Sequence, residues 1–425
     1  MNEQPSQFKW VGTRVIRPDG VDKVTGRAMY GADLTMPGML QGKVLRSPHA
    51  HAKIKSIDTS KAEALDGVKA IVTAEDMPLA DPKPVAAGEA MINMRDLSEN
   101  VIARHKVLYE GQTVAAVAAN TTEIAEKAVA LIDVEYEVLP HVIDVLEAMK
   151  EDAPLLHEDM FTGGVKPKPE KPSNVANRVE FSLGDADAGF ADADVVIEKN
   201  FTTAPVHQGY IEPHAVVADA NPDGKVDIWC SSQGHFMVRT FVAGLLKIEM
   251  SKIKVTAAEI GGGFGGKTTV YLEPLAVMLS SKASRPVRMV MSREEVFRAS
   301  GPTSGAALTV KMGATKDGRI VAGDATLYFQ AGAWPGSPVG PAAMTAFAPY
   351  DIANVKVVGY DVVSNRQKVV AYRAPGAPIS EYGVESIVDE IAERLGLDPL
   401  EFRAKNAAKE GTQAAYGVKF GAIGM

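Results

Sequence analysis

The sequence contains a single cysteine, Cys230, among its 425 residues. One thiol excludes an intrachain disulfide, and the absence of disulfides fits a reducing compartment. One thiol also cannot hold an iron–sulfur cluster, which normally takes about four ligands. Any redox chemistry of this chain would therefore depend on a bound organic cofactor or on electron-transfer centres in other chains.

Long apolar runs and an excess of basic residues are absent as well. No stretch reaches about 18 uninterrupted apolar residues, the length that a transmembrane helix needs. The polar start MNEQPSQ lacks the apolar core of a signal peptide. The formal net charge of −8 disfavours nucleic acids and anionic membranes as partners. We therefore expect a cytoplasmic protein that binds neither nucleic acid nor membrane.

What the chain does contain is the composition of an ordinary folded protein, with 46% hydrophobic and 23% charged residues. Its length favours two or three domains. Three prolines and no apolar periodicity occur in the stretch GGVKPKPEKP, which predicts an extended and mobile linker over 151–175. The linker divides the chain into a domain 1–150 and a domain 176–425.

Strand and helix patterns are clear in the first domain. The predicted strands are 41–46, 68–72, 113–119 and 133–138. The run 113–119 is largely apolar and should be buried, whereas 133–138 alternates polar and apolar residues as a half-buried strand does. Thr122 precedes an apolar-periodic segment and is predicted to cap a helix over 125–132.

In the second domain strands and helices mix without strict alternation, which favours an α+β architecture over a doubly wound sheet. Near the end of the chain, apolar residues recur with helical spacing; they are Val384, Ile387, Ile391 and Leu395. This spacing predicts an amphipathic packing helix that ends at Gly396.

The glycine loop GGGFGGKT, residues 261–268, fits both the phosphate loop of nucleotide hydrolases and the dinucleotide fingerprint. A predicted strand over 252–260 precedes it, and a predicted helix over 269–281 follows. Glycines let backbone amides approach a ligand closely, and amides at a helix start favour negative charge. Lys267 would add a cationic donor for an anionic group.

Both nucleotide interpretations lack an acidic residue where the chemistry needs one. No acid follows at once on the next apolar strand, 286–291, to hold magnesium. Glu294 lies too far beyond the glycines to bind a ribose in a tight strand–helix–strand unit. A nucleotide-binding protein that uses 261–268 as a phosphate loop stays an alternative, and so does a glycine turn without a ligand.

Two histidines, His207 and His214, flank Glu212 and resemble part of a metal site. We interpret them instead as polar positions on a strand.

Several further stretches accompany the glycine loop. They are RPDGVDKVTGRA at 17–28, LRSPHAHA at 45–52, HQGYIEP at 207–213, SSQG at 231–234 and AYRAPGAP at 371–378. In this order and spacing they resemble the large, molybdenum-binding subunit of the xanthine dehydrogenase, aldehyde oxidoreductase and carbon monoxide dehydrogenase family. Each motif is weak alone, but together they are specific and cover nearly the whole chain. The resemblance implies an N-terminal hammerhead α/β domain followed by the first molybdenum-cofactor-binding domain.

The resemblance also assigns residues to the cofactor. The implied cofactor-binding residues are Gln233, Gly234, Gly263, Phe264, Gly265, Arg373 and Ala374. Gln233 is similar to the glutamine whose side-chain amide approaches the oxo ligand of the metal and the pterin. Phe264 and Gly265 are similar to the pair whose backbone amides line the apical side of the metal, and Arg373 belongs to a loop beside metal and substrate. Gln233, Phe264 and Arg373 are thus expected nearest the molybdenum.

The protein side of such a site consists of donors around the metal's own ligands, because the cofactor itself holds the metal. The resemblance implies molybdenum–molybdopterin, or its cytosine dinucleotide form. It implies hydroxylation of a small-molecule substrate with water as the oxygen source. Electrons would leave through an iron–sulfur subunit and an FAD subunit.

Three departures from the family narrow these expectations. The chain ends soon after 397–403, where single-chain members continue with the half that carries the general base. We therefore expect a second molybdopterin-subunit chain, as in nicotinate dehydrogenase, and name no catalytic residue here. Ala374 stands where the copper-using carbon monoxide dehydrogenases have a cysteine, and Thr268 stands where purine-oxidising members have a glutamate. An aromatic, N-heteroaromatic, aldehyde or acyl-CoA substrate fits what remains.

Overall fold

The computed structural model describes residues 8–87 and 90–424. Within them the helices are α1 (Gly20–Thr25), α2 (Ser60–Glu63), α3 (Met94–Val101), α4 (Thr122–Leu131), α5 (Val145–Ala148), α6 (Ala186–Ala191), α7 (His235–Leu246), α8 (Glu273–Ala283), α9 (Arg293–Ala299), α10 (Val339–Thr345), α11 (Ala377–Leu395) and α12 (Pro399–Asn406). None of these helices is long and apolar enough to cross a membrane.

The strands in the same described ranges are β1 (Leu40–Arg46), β2 (Ala52–Asp58), β3 (Val68–Thr73), β4 (Pro84–Ala87), β5 (Ala90–Asn93), β6 (Lys106–Val107), β7 (Thr113–Ala119), β8 (Asp133–Val138), β9 (Val175–Leu183), β10 (Val195–Thr203), β11 (Ala215–Ala220), β12 (Val226–Cys230), β13 (Ile253–Ala257), β14 (Val287–Val290), β15 (Ala306–Ala314), β16 (Ile320–Gly332) and β17 (Val355–Val363). They form the mixture of strands and helices that the sequence predicts.

A seven-stranded mixed sheet, in the order β13-β12-β11-β14-β1-β7-β3, contains strands from both predicted domains. The two sets meet where β1 and β14 pair in parallel, with Leu40 opposite Val287. Helix α8 is buried along its length from Glu273 to Ser280, and its apolar side chains belong to the same core as those of the sheet. This sheet positions the segments on which the predicted site lies.

A five-stranded sheet, in the order β10-β15-β16-β17-β9, forms the second layer of the chain. The predicted amphipathic helix is α11, and the side chains of Val384, Ile387 and Ile391 enter the core of this sheet. Gly396 adopts a left-handed φ of 66° and caps the helix, as predicted. Helix α11 begins at Ala377, within the predicted stretch 371–378, so its packing anchors the residues before it.

The remaining strands form a three-stranded sheet, β6-β2-β8, and a two-stranded hairpin, β4-β5. The predicted strands match β1, β3, β7, β8 and β14 in position. Strand β7 is buried at every residue, which explains its nearly unbroken apolar sequence. The predicted cap of α4 was wrong by one residue, because the hydroxyl of Thr121 accepts the hydrogen bond from the amide of Ile124.

The predicted linker has no helix or strand before Val175. It is nevertheless attached to the protein at several points. Leu156 is fully buried, and Gly163 forms an isolated bridge with Asn177 in β9. Its division of the chain into 1–150 and 176–425 stays a prediction, since the large sheet contains strands from both parts.

Candidate functional site

The glycine loop 261–268 follows β13, but the helix after it begins later than predicted. Helix α8 starts at Glu273, and the residues between Thr268 and Glu273 are not helical. The amides of the loop are therefore not the first turn of a helix. This differs from a phosphate loop, in which the helix dipole and the loop amides face the same anion.

The predicted role of Lys267 as a cationic donor to a ligand was wrong. Its side chain is completely buried and its Nζ donates to Oε2 of Glu212 at 2.8 Å. The ammonium also lies 4.9 Å from the centre of the Tyr210 ring. Burial lowers the pKa of Lys267, and the hydrogen bond to Glu212 opposes that shift. The loop therefore presents no free lysine to a phosphate.

Gln233 lies between the end of β12 and the start of α7, and it contacts the glycine loop directly. Its Oε1 accepts from the amide of Gly265 at 2.9 Å and from the amide of Lys267 at 3.2 Å. The backbone amide of Gln233 donates to the carbonyl of Lys267 at 2.9 Å. The oxygen is thus held by two amides, whereas Nε2 of this exposed residue donates to no acceptor in the described residues.

The loop approaches Gln233 so closely that a glycine is required. A Cβ at Gly263 would lie 2.4 Å from Oε1 of Gln233, far inside van der Waals contact. The neighbouring Gly234 begins α7 as its N-cap residue, and its amide donates to the hydroxyl of Ser232 at 3.1 Å. The structure thus brings the predicted residues 233–234 and 263–265 together.

The segment 371–374 also contacts the glycine loop. The amide of Arg373 donates to the carbonyl of Phe264 at 2.9 Å. A Cβ at Gly265 would lie 2.6 Å from the carbonyl oxygen of Ala371. Nε2 of Gln208 donates to that same carbonyl at 2.9 Å. The cofactor-binding residues predicted from three distant stretches therefore meet at one place.

Backbone conformation marks this place as unusual. Among the described residues, five that are not glycine have a positive φ, and two of them, Lys247 and Ser284, are ordinary caps at helix ends. The other three are Phe264 (53°), Arg373 (24°) and Ala374 (59°). Such conformations are costly for residues with a Cβ and concentrate at functional sites.

The two histidines near the site, His207 and His214, have other polar side chains as neighbours. They lie in the loop between β10 and β11, so the predicted strand was wrong. His214 is buried, its Nε2 lies 2.7 Å from the Tyr210 hydroxyl, and burial lowers its pKa to about 3. Burial likewise lowers the pKa of His207 to about 4. No group of three or more His, Cys, Asp or Glu residues that could hold a metal occurs in the described ranges.

Glu212 and Gln208 are neighbours of the site to which the resemblance assigned no role. Both lie in the stretch HQGYIEP, and both have one buried side-chain oxygen without a hydrogen-bond partner within residues 8–87 and 90–424. The sequence did carry one signal for Glu212, because a lysine in a buried loop requires a carboxylate partner. Its distance along the chain from Lys267 concealed that pairing.

The donors available at this site suit a cofactor that brings its own metal ligands. The backbone amides of Phe264 and Ala374 donate to no acceptor of the described chain. The amide of Gly265, which was expected beside the metal together with that of Phe264, donates instead to Oε1 of Gln233. The exposed guanidinium of Arg373 likewise forms no ion pair there. Neutral amides and one arginine can surround the oxo and pterin groups of such a cofactor, and they need not ligate the metal. The residues therefore fit molybdenum–molybdopterin.

Two family models match this chain in comparisons with known proteins. Residues 25–140 match the family model described as the aldehyde oxidase and xanthine dehydrogenase a/b hammerhead domain. Residues 167–407 match the molybdopterin cofactor-binding domain. The aldehyde oxidoreductase structure from Desulfovibrio gigas is similar with a TM-score of 0.84 and 29% identity, over 95% of this chain and 44% of that chain.

Two curated relatives differ in length. The chain is 34% identical to a probable xanthine dehydrogenase subunit of Bacillus subtilis, over 93% of this chain and 50% of the relative. It is 32% identical to the nicotinate dehydrogenase large molybdopterin subunit of Eubacterium barkeri, over 96% of this chain and 92% of that subunit. The chain thus spans half of the first relative and nearly all of the second.

Proposed function

Because the chain belongs to the molybdopterin-binding subunit family of xanthine dehydrogenase and aldehyde oxidoreductase, we propose that it forms one wall of a molybdenum hydroxylase active site. Molybdenum–molybdopterin, as such or as its cytosine dinucleotide, supplies the redox chemistry when bound, with water as the oxygen source. The observation that carries the proposal is the amide of Gln233. Its oxygen is held by two loop amides, so its Nε2 is the group that would donate to the cofactor.

The other residues of this wall hold and orient the cofactor. The free amides of Phe264 and Ala374 offer hydrogen bonds without charge, and the guanidinium of Arg373 offers charge-assisted ones. Glu212 is occupied by Lys267, so we assign no general base to this chain. The proposal therefore places that base on another polypeptide.

The substrate that we propose is an aromatic, N-heteroaromatic, aldehyde or acyl-CoA compound. Ala374 has no thiol to bridge a second metal, which argues against carbon monoxide. Thr268 has no carboxylate to bind a purine, and its hydroxyl donates to the carbonyl of Gly265 at 2.8 Å. A panel of these substrates assayed with an artificial electron acceptor would identify the class.

The second polypeptide of the site would also cover an apolar arm on this chain. Residues 8–29 contain no buried residue, although they include Trp10, exposed by 63%, and Ile16, exposed by 86%. Helix α1 within the arm likewise has no buried residue. Glu259, which follows β13, accepts from Lys23, so the arm lies beside the segment that leads into the glycine loop.

Relatives of about twice this length support the proposal of such a partner. The chain covers 50% of the B. subtilis relative, so a polypeptide equivalent to the other half is the natural occupant of the arm. Exposed apolar surface of this kind is typical of interfaces. We propose further that iron–sulfur and FAD subunits carry the electrons away, since the one thiol here, Cys230, is buried and burial raises its pKa. A reducing, cytoplasmic setting suits that thiol.

Metal analysis tests the function directly. The tagged chain is purified from its native host together with its partners, and molybdenum is measured by mass spectrometry alongside pterin fluorescence. We expect about one molybdenum atom per chain. Tight binding of a nucleoside triphosphate without molybdenum would instead support the phosphate-loop alternative. The pairing of Lys267 with Glu212 argues against that alternative.

A further inference from the structure

A buried ion pair lies beneath the glycine loop and connects its two ends. Oε2 of Glu212 accepts from the amide of Gly261 at 2.7 Å and from Nζ of Lys267 at 2.8 Å. The amide of Glu212 also donates to the carbonyl of Gly261 at 3.2 Å. One carboxylate therefore holds the first residue of the loop and the lysine near its end.

The same lysine is hydrogen-bonded to Gln233. The backbone of Lys267 donates to Oε1 of Gln233 at 3.2 Å and accepts from the Gln233 amide at 2.9 Å. The hydroxyl of Ser232 donates to the same carbonyl at 3.2 Å. Lys267 thus faces Gln233 with its backbone and Glu212 with its side chain.

We propose that Glu212 and Lys267 are a positioning pair that holds the glycine loop and thereby fixes the direction of the Gln233 amide. The part of this inference that concerns the cofactor rests on the proposed function, because it assigns Gln233 to the cofactor. The part that concerns the loop does not.

The energetics of the pair support a positioning role over simple stabilisation. A buried ion pair contributes little net stability compared with an apolar pair of the same volume, because both charges lose their hydration. Removing one partner is costly, since the other charge stays buried. The side chain of Glu212 is 8% exposed and that of Lys267 is not exposed at all. A charge left alone here would therefore have almost no contact with water. What the pair does provide is direction, because Oε2 of Glu212 accepts two short hydrogen bonds, from the Gly261 amide and from Nζ of Lys267.

The test compares three variants of the full chain, prepared without molybdenum. K267M removes the cation, and E212Q/K267M removes both charges. R46M is the matched control, because Arg46 forms a largely buried ion pair with Glu295 outside the loop. The distance between Nε of Arg46 and Oε1 of Glu295 is 2.9 Å. Hydrogen–deuterium exchange is followed in the peptide 258–268 and in a peptide of β15, and the melting temperature is measured for each variant.

We expect exchange in 258–268 to rise by at least about tenfold in K267M, and exchange in β15 to change little. In E212Q/K267M the melting temperature should recover toward that of the unsubstituted chain, while exchange in the loop stays fast. R46M should lower the melting temperature without accelerating exchange in the loop. Loop exchange that follows the melting temperature in all variants would overturn the positioning role.

Molybdenum content of the purified complex tests the link to the cofactor. K267M should lose most of its molybdenum relative to R46M, and unchanged content would overturn the claim that the pair orients Gln233 for the cofactor. If the unsubstituted complex contains no molybdenum, the proposed function fails instead. The exchange experiment on the metal-free chain is unaffected by that outcome.

Discussion

The amide of Arg373 donates to the carbonyl of Phe264 at 2.9 Å, and both residues have a left-handed backbone. This hydrogen bond joins two segments that are far apart in the sequence. Neither residue gains from its conformation locally, because a Cβ is crowded at positive φ. The surrounding contacts therefore impose both conformations, as expected where a site is held ready for a ligand.

The first prediction concerns Gly265, which follows Phe264 and packs against the backbone of Ala371. Gly265→Ala would place a Cβ 2.6 Å from the carbonyl oxygen of Ala371 at a φ of 104°. We expect it to lower the free energy of unfolding by about 2 kcal/mol and to displace the loop from 371–374. Urea unfolding and molybdenum content measure the two effects.

Gly340→Ala is the matched control for this substitution. Gly340 lies in α10, and an added Cβ meets nothing within 4 Å. Alanine in a helix should raise stability by up to about 1 kcal/mol. Equal effects of the two substitutions would show that the crowding at Gly265 is unimportant.

The second prediction concerns Gln233 as a donor. Gln233→Ala removes the group proposed to face the cofactor, and the two loop amides that it leaves can bind water at this exposed position. We expect stability to fall by only about 1 kcal/mol, but molybdenum content to fall at least about tenfold. The exposed Gln413→Ala serves as control and should retain the metal. Full molybdenum retention in Gln233→Ala would contradict the assignment.

Local patterns allowed much of the fold to be predicted from the sequence. The helix α11 and the buried strand β7 follow from spacing and composition within one segment. The parallel pairing of β1 with β14 could not be predicted, because it depends on residues separated by most of the chain. The two predicted domains are therefore joined in one sheet.

The site was predicted by its motifs but not by its geometry. The resemblance selected Gln233, Phe264 and Arg373, and the structure brings their segments together. It could not show which atom of the Gln233 amide is free, since that depends on hydrogen bonds from Gly265 and Lys267. The predicted role of Lys267 was wrong because the glycine-loop pattern covers only neighbouring residues. Its carboxylate partner, Glu212, comes from another segment.

The third prediction concerns pH and the buried His214. Its pKa is about 3 in the folded chain, below the ordinary 6.5, because burial disfavours the charged ring. Between these values the unfolded chain binds a proton that the folded chain does not, so stability falls as the pH falls below 6.5. Between pH 7 and pH 5 this residue should cost about 2 kcal/mol.

Urea unfolding of His214→Gln at the two pH values measures this cost. Glutamine does not titrate, so the variant should lose about 2 kcal/mol less than the unsubstituted chain on going to pH 5. The exposed Gln413→Ala, which removes no titratable group, should show the same loss as the unsubstituted chain. The same loss in all three proteins would show that His214 is not the group responsible.

The last prediction concerns the apolar arm and the second polypeptide. Trp10 and Ile16 are exposed by 63% and 86%, so replacing both by serine removes no buried contact and should change the stability of the isolated chain by less than about 0.5 kcal/mol. Binding of the partner polypeptide should be weakened, because two apolar side chains are removed from the interface. We expect the variant purified from the native host to recover at most about one tenth of the partner polypeptide, measured by quantitative mass spectrometry.

Leu400→Ser, at an equally exposed apolar residue of α12, should recover it in full. Equal recovery from both variants would mean that the arm faces solvent in the complex.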